Sequence, residues 1–199
     1  SGSTTTTLAR GLDDDALLLD QTDVGSVHEK RRGLHATGRL QWRGEQGFDT
    51  VTLMPLLIHG EGTTDRRGVL VQRVNLLPVT PFSLLPYDSA ATAGEGSFSL
   101  TRLNGQWNHR FDTGGRLETK FGLGQGRSVS ATLREETTNG AISRTLDDRS
   151  DIVDRNLLLA SKFTRALENS HTIVTGLEGE SNRRSEQRSN LQNGAPLLA

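Results

Sequence analysis

The chain has 199 residues, 33% of them hydrophobic, with 23 Lys and Arg against 24 Asp and Glu and a formal net charge of -1. That balance offers no electrostatic footprint for nucleic acid. The absence of cysteine excludes disulfide scaffolds, thiolate metal sites and thiol nucleophiles. A mean hydropathy of -0.50 is low for a large dry core, but it fits a membrane β-barrel, where only alternate strand residues face lipid.

No transmembrane helix is expected, because the longest aliphatic run, Leu53-Met54-Pro55-Leu56-Leu57-Ile58, falls far short of the ~20 residues a helix needs. The chain opens on Ser1-Gly2-Ser3, with no signal peptide expected to precede it, and stops at Pro196-Leu197-Leu198-Ala199. Both ends are expected to be cuts through a longer polypeptide.

Residues 1–30 carry the weakest pattern. A threonine run leads into Leu12-Asp13-Asp14-Asp15-Ala16-Leu17-Leu18-Leu19-Asp20, read as a strand entering a loop or as a short helical turn. The triple aspartate lacks the glycine and distal glutamate of a calcium loop, so a solvated loop is expected.

A first hairpin is expected over about 30–60. Leu34, Ala36, Gly38, Leu40 and Trp42 alternate with His35, Thr37, Arg39, Gln41 and Arg43. This period-two pattern gives a strand with one apolar and one polar face. The turn Arg43-Gly44-Glu45-Gln46-Gly47 follows. The return strand sets Val51, Leu53, Pro55 and Leu57 against Thr50, Thr52 and Met54. Pro55 lacks an N–H and predicts an edge, a bulge or a strand end.

The second hairpin, about 98–127, repeats the scheme. Leu103, Gly105, Trp107, His109 and Phe111 alternate with Asn104, Gln106, Asn108 and Arg110, before the turn Asp112-Thr113-Gly114-Gly115. The third, about 151–183, turns at Leu167-Glu168-Asn169-Ser170 and carries Phe163, Lys162, Glu178 and Glu180. Between hairpins, the stretches from Gly60 to Ser97 and from Arg127 to Asp151 are read as long connections. The second is also a candidate for a β-ribbon extending the strands. Short turns at one end and long loops at the other are the layout of a membrane-spanning β-barrel. Aromatic residues near the turns, Trp42, Phe48, Trp107, Phe111, Phe121 and Phe163, suit an interfacial girdle as well as they suit strands in general.

Catalytic signatures are lacking. Gly122, Gly124 and Gly126 precede no amphipathic helix, so they are read as inward glycines of a strand and not as a dinucleotide fingerprint. The five histidines have no metal-ligand spacing. Glu178 and Glu180 form a carboxylate pair, read as part of a charge network and not as acid–base machinery. Neither an enzyme nor a cofactor is expected. The turns fall at unequal separations of about 69 and 55 residues, against a strict repeat.

The segments Gly33–Trp42, Asp49–Pro55, Leu103–Trp107, Gly115–Gly122 and His171–Glu180 resemble barrel strands of TonB-dependent outer-membrane receptors, over roughly residues 30 to 190. The resemblance implies uptake of a ferric siderophore or similar scarce ligand, energised through the TonB complex, in the Gram-negative outer membrane. It also implies an N-terminal plug inside a barrel of ~22 strands. No TonB box, plug or terminal aromatic strand is recognisable, so residues 1–199 are expected to be an interior segment of such a barrel. The expected fold is all-β, an antiparallel up-and-down meander forming a partial transmembrane barrel. Six to eight strands are expected. The expected partners are the ligand, the TonB complex and outer-membrane lipid, with no nucleic acid.

On that reading Arg39, Gln41, Gln106, Arg110, Lys120, Lys162 and Glu178 line the lumen and contact plug or solute. Segments 65–67, 81–87 and 134–149 face outside. The alternative is a soluble all-β ligand- or carbohydrate-binding module, in which two apolar sheet faces pack together.

Overall fold

The computed structural model describes residues 2–13, 16–44, 48–75, 87–167 and 171–197. These residues form nine strands: β1 (Gly2–Asp13), β2 (Ala16–Thr37), β3 (Leu40–Arg43), β4 (Asp49–Asn75), β5 (Ser89–Arg110), β6 (Gly115–Thr138), β7 (Ala141–Ala166), β8 (Thr172–Gln192) and β9 (Ala195–Pro196). All belong to one antiparallel sheet in the order β1-β2-β4-β5-β6-β7-β8-β9, with β3 following β2 on the same side of β4. The protein is all-β, an up-and-down meander, and the sheet is not closed. β4 alone has 27 residues, against roughly 3–10 for strands of ordinary globular sheets.

Pairing is continuous because the chain alternates apolar and polar residues over long stretches, and this fixes register. Pro55 marks one of the places that break the rule. β2 pairs with β4 as far as Thr37↔Leu56, and β3 resumes at Leu40↔Leu53. Between them Gly38 N–H donates to the Pro55 carbonyl at 3.1 Å, but Pro55 has no N–H to return the bond. Pro55 therefore interrupts its neighbour's ladder. It does not mark an edge or an end, since β4 runs on through it and pairs with β5 at Pro55↔Leu103.

The expected long connections are mostly strand. β4 continues to Asn75 and β5 begins at Ser89, so 65–67 lies within a strand and not in a loop. From Arg127 to Asp151 the chain is a β-ribbon whose turn is Asn139-Gly140, both at positive φ (54° and 77°). That is the two-residue primed turn whose twist matches the flanking strands. Asn193-Gly194 repeats it (52° and 79°). At the opposite end the 112–115 turn closes with Gly114 N–H to the Phe111 carbonyl at 3.0 Å and Phe111 N–H to the Gly115 carbonyl at 2.8 Å. Residues 2–13 and 16–37 are strand, so the described part of 12–20 is not a helical turn. The expected turns over 45–47 and 168–170, the aspartates 14–15 and the prolines of 78–86 lie outside the described residues.

The sheet is a single layer. Strands contact their hydrogen-bonded neighbours, and among the described residues Ala90 is the only buried apolar side chain.

Candidate functional site

Register divides the sheet into two faces. One carries Leu40 and Trp42 on β3 and Val51, Leu53, Pro55 and Leu57 on β4. Across β5, β6 and β7 it continues with Leu103, Trp107, Leu117, Phe121, Leu123, Leu157, Leu159 and Phe163. Leu177 follows on β8. Many of these are open to the surroundings: Leu40 and Leu177 are each 64% exposed, Trp42 59% and Leu157 50%. Apolar area on this scale, uncovered by any second layer, far exceeds the scattered exposed residues normal on a soluble surface.

The apolar band has defined borders. On β7 Arg155 and Arg165 lie on this face and bracket the stretch from Leu157 to Phe163. The interval matches the roughly 9–11 residues with which a tilted strand crosses a bilayer. At the end bearing the 112–115 turn the border is aromatic. Trp107, His109, Phe111 and Phe163 stack in sequence at centroid distances of 5.9, 4.4 and 5.9 Å, the last two edge-on. Asp49 accepts from Trp107 Nε1 at 2.9 Å and lies 2.8 Å from His109 Nδ1. Within the band the Phe121 ring lies directly over Gly105, its register partner, where a Cβ would collide with it. An aromatic ring thus shields the backbone that a glycine leaves bare.

The other face is polar at the same height. Gln41, Thr52, Gln106, Lys120, Ala160 and Glu178 are successive register partners, a single row across six strands. One step nearer the turns runs the row Arg43, Thr50, Asn108, Glu118, Lys162 and Gly176. Arg110 lies a further step along, opposite Arg116. Six of the seven residues expected to share a face are therefore brought together on it. Arg39 falls in the gap between β2 and β3, in phase with Gln41.

Glu118 lies at the centre of this network, 3.1 Å from Lys120 Nζ and 3.8 Å from Arg116 Nη2, with Lys162 as its register partner. Asn108 Oδ1 accepts from Gln106 at 3.3 Å and from Arg116 at 3.4 Å. Met54, Leu56, Ile58 and Leu158 interrupt the polarity. Gly122, Gly124 and Gly126 all fall on this face.

Two features of the polar face were not read from the sequence. One is a recess of about 690 Å³ farther from the turns. Its floor is glycine and serine on this face: Gly60, Gly62, Gly94, Gly96, Ser128 and Ser130. The second is a charge knot near the Asn139-Gly140 turn. Glu136, 3% exposed, accepts from Arg134 Nε at 2.8 Å and from Arg144 Nε at 2.7 Å. The Arg134 guanidinium stacks on Tyr87, 5.2 Å from the ring centroid. An irregularity between Glu136 and Thr137 makes the knot possible: Arg144 faces Glu136 while Ile142 faces Thr137, leaving Ser143 unpaired in the ladder. Ser143 Oγ donates instead to the Glu136 carbonyl at 3.1 Å. No family model matches the chain, and no curated protein matches it either.

Proposed function

We propose that the chain is part of the barrel wall of a TonB-dependent outer-membrane receptor. The receptor takes up a ferric siderophore or a similar scarce ligand across the Gram-negative outer membrane. The observation that carries the reading is the two-faced single-layer sheet. An exposed apolar band with an aromatic border lies on one face, and a row of glutamine, lysine and glutamate lies at the same height on the other. A soluble sandwich would cover that band with a second sheet. In a bilayer it meets lipid, while the polar face meets water, a plug or solute.

The open sheet supports the idea of a larger assembly. Unpaired strand edges are not tolerated in hydrocarbon, so further strands would close the barrel beyond β1 and β8. The recess of about 690 Å³ falls in the size range of small-molecule sites, roughly 300–1,000 Å³. On this reading the recess, beyond the polar row and away from the 112–115 turn, faces the ligand.

The test is growth under iron limitation with single siderophores, in cells whose protein carries Lys120→Glu with Lys162→Glu. Uptake that falls in the variant, and in the parent when the TonB complex is removed, is expected. Uptake indifferent to the TonB complex would remove the receptor reading.

A further inference from the structure

On the polar face of β8 beyond the band, arginines are matched by acids. Arg184 lies 3.9 Å from its register partner Asp154 and 3.5 Å from Glu186, and Arg188 also pairs with Glu186. The apolar face at the same height differs. Arg155 and Arg183 are direct register partners on β7 and β8, both exposed. Neither makes an ion pair among the described residues. Like charges placed directly opposite in an antiparallel pair repel. Arg127, diagonal to Arg155 on the same face, is engaged by Asp151 in a two-bonded contact at 3.1 and 2.7 Å. Of three guanidiniums on three adjacent strands, only that of Arg127 therefore has a carboxylate among the described residues.

Their height is informative. Arg155 stands one alternation beyond Leu157, at the border of the apolar band on the side away from the 112–115 turn. A guanidinium fork recognises phosphate oxygens bidentately. Two forks facing one way at a hydrophobic border match an anionic headgroup whose acyl chains lie along the band.

We infer that Arg155 and Arg183 form a docking site for the phosphomonoester headgroup of an anionic lipid. The inference rests on the membrane reading of the apolar face. The lipid phosphate would take the place of the missing carboxylate and relieve the repulsion between the two arginines.

The experiment measures insertion of the complete barrel that carries these strands into phosphatidylcholine vesicles with and without phosphatidic acid. Insertion into both, with a preference for phosphatidic acid, is expected. Arg155→Gln with Arg183→Gln should remove about 30-fold of that preference, about fivefold for each arginine near an anionic surface. Insertion of the double variant into pure phosphatidylcholine confirms that it still folds. Arg184→Gln, on the other face, should keep the preference. Insertion without preference, or a preference that survives the double variant, would overturn the site and leave the membrane reading intact. Failure to insert into either vesicle would overturn both. Inorganic phosphate stabilising the detergent-held barrel as much as phosphatidic acid does would replace the lipid with a free anion and overturn the inference.

Discussion

At the scale of single residues, the positions that matter most are those where the sheet departs from simple alternation. Gly105 is one. Its lack of a side chain is matched by the Phe121 ring, which occupies the space a Cβ would need. Gly105→Ala should displace that ring and destabilise the protein by about 1–3 kcal/mol, the usual cost of overpacking. The double variant Gly105→Ala with Phe121→Leu should cost less than the two single changes added together, because the collision exists only once. Thermal unfolding of the four proteins in one detergent checks this, and strict additivity would show that the ring does not depend on the glycine. Glu136 is the other such position. Glu136→Gln leaves Arg134 and Arg144 without their shared carboxylate. The expected loss is about 1.5–3 kcal/mol, typical for hydrogen bonds to charged groups, visible as faster amide exchange through 134–144. Gly105 could be seen in the sequence only as a gap in an apolar stripe. The Glu136 knot could not be seen at all, because its residues meet only through the irregularity that leaves Ser143 unpaired.

At the scale of elements, alternation made the hairpins about 30–60, 98–127 and 151–183 legible, while strand length was not. Hydropathy falls where β4 to β7 leave the apolar band, so polar strand and polar loop look alike from composition. The Asn139-Gly140 and Asn193-Gly194 pairs were the signal that could have separated them, since that dipeptide marks a two-residue hairpin turn. Pro55 was read correctly as a disturbance and wrongly as an edge. Its missing donor affects only the side facing Gly38. Pro55→Val should therefore supply the absent bond to the Gly38 carbonyl, between β2 and β3, and stabilise by about 1 kcal/mol, with a newly protected amide at position 55. In the ribbon beyond the band, the Arg127 hydrogen bonds hold the Asp151 carboxyl below its ordinary range. A depressed carboxyl stabilises the fold above its unfolded value, and that contribution is lost as pH falls through the folded value. Amide protection at Val129 and Ile152 should exceed that of an Asp151→Asn variant at neutral pH. The difference should disappear only below the ordinary carboxylate range. A difference already gone in mildly acidic solution would mean that the pair does not brace the ribbon.

At the scale of the whole molecule, the question is what the apolar face meets, and parity along one strand answers it. Leu159 and Ala160 are neighbours on β7 and point to opposite faces at one height. Leu159 belongs to the exposed apolar band, and Ala160 stands in the row between Lys120 and Glu178. If the band faces hydrocarbon, Leu159→Arg places a charge near mid-bilayer and costs about 2–4 kcal/mol. Ala160→Arg enters a wet polar row and should cost little, with Glu178 beside it as an acceptor. With the strands in their complete barrel, the expected ranking in lipid vesicles is therefore steep, with Leu159→Arg failing to insert and Ala160→Arg inserting like the parent. A soluble module predicts something else. Two sheets packed through their apolar faces would make Leu159→Arg equally damaging in plain buffer, and the parent would need neither lipid nor detergent to stay dispersed. The same pair of substitutions, measured with and without lipid, thus separates a band held in hydrocarbon from one covered by protein. The answer comes from two adjacent residues of one strand and does not depend on knowing which ligand the polar face serves.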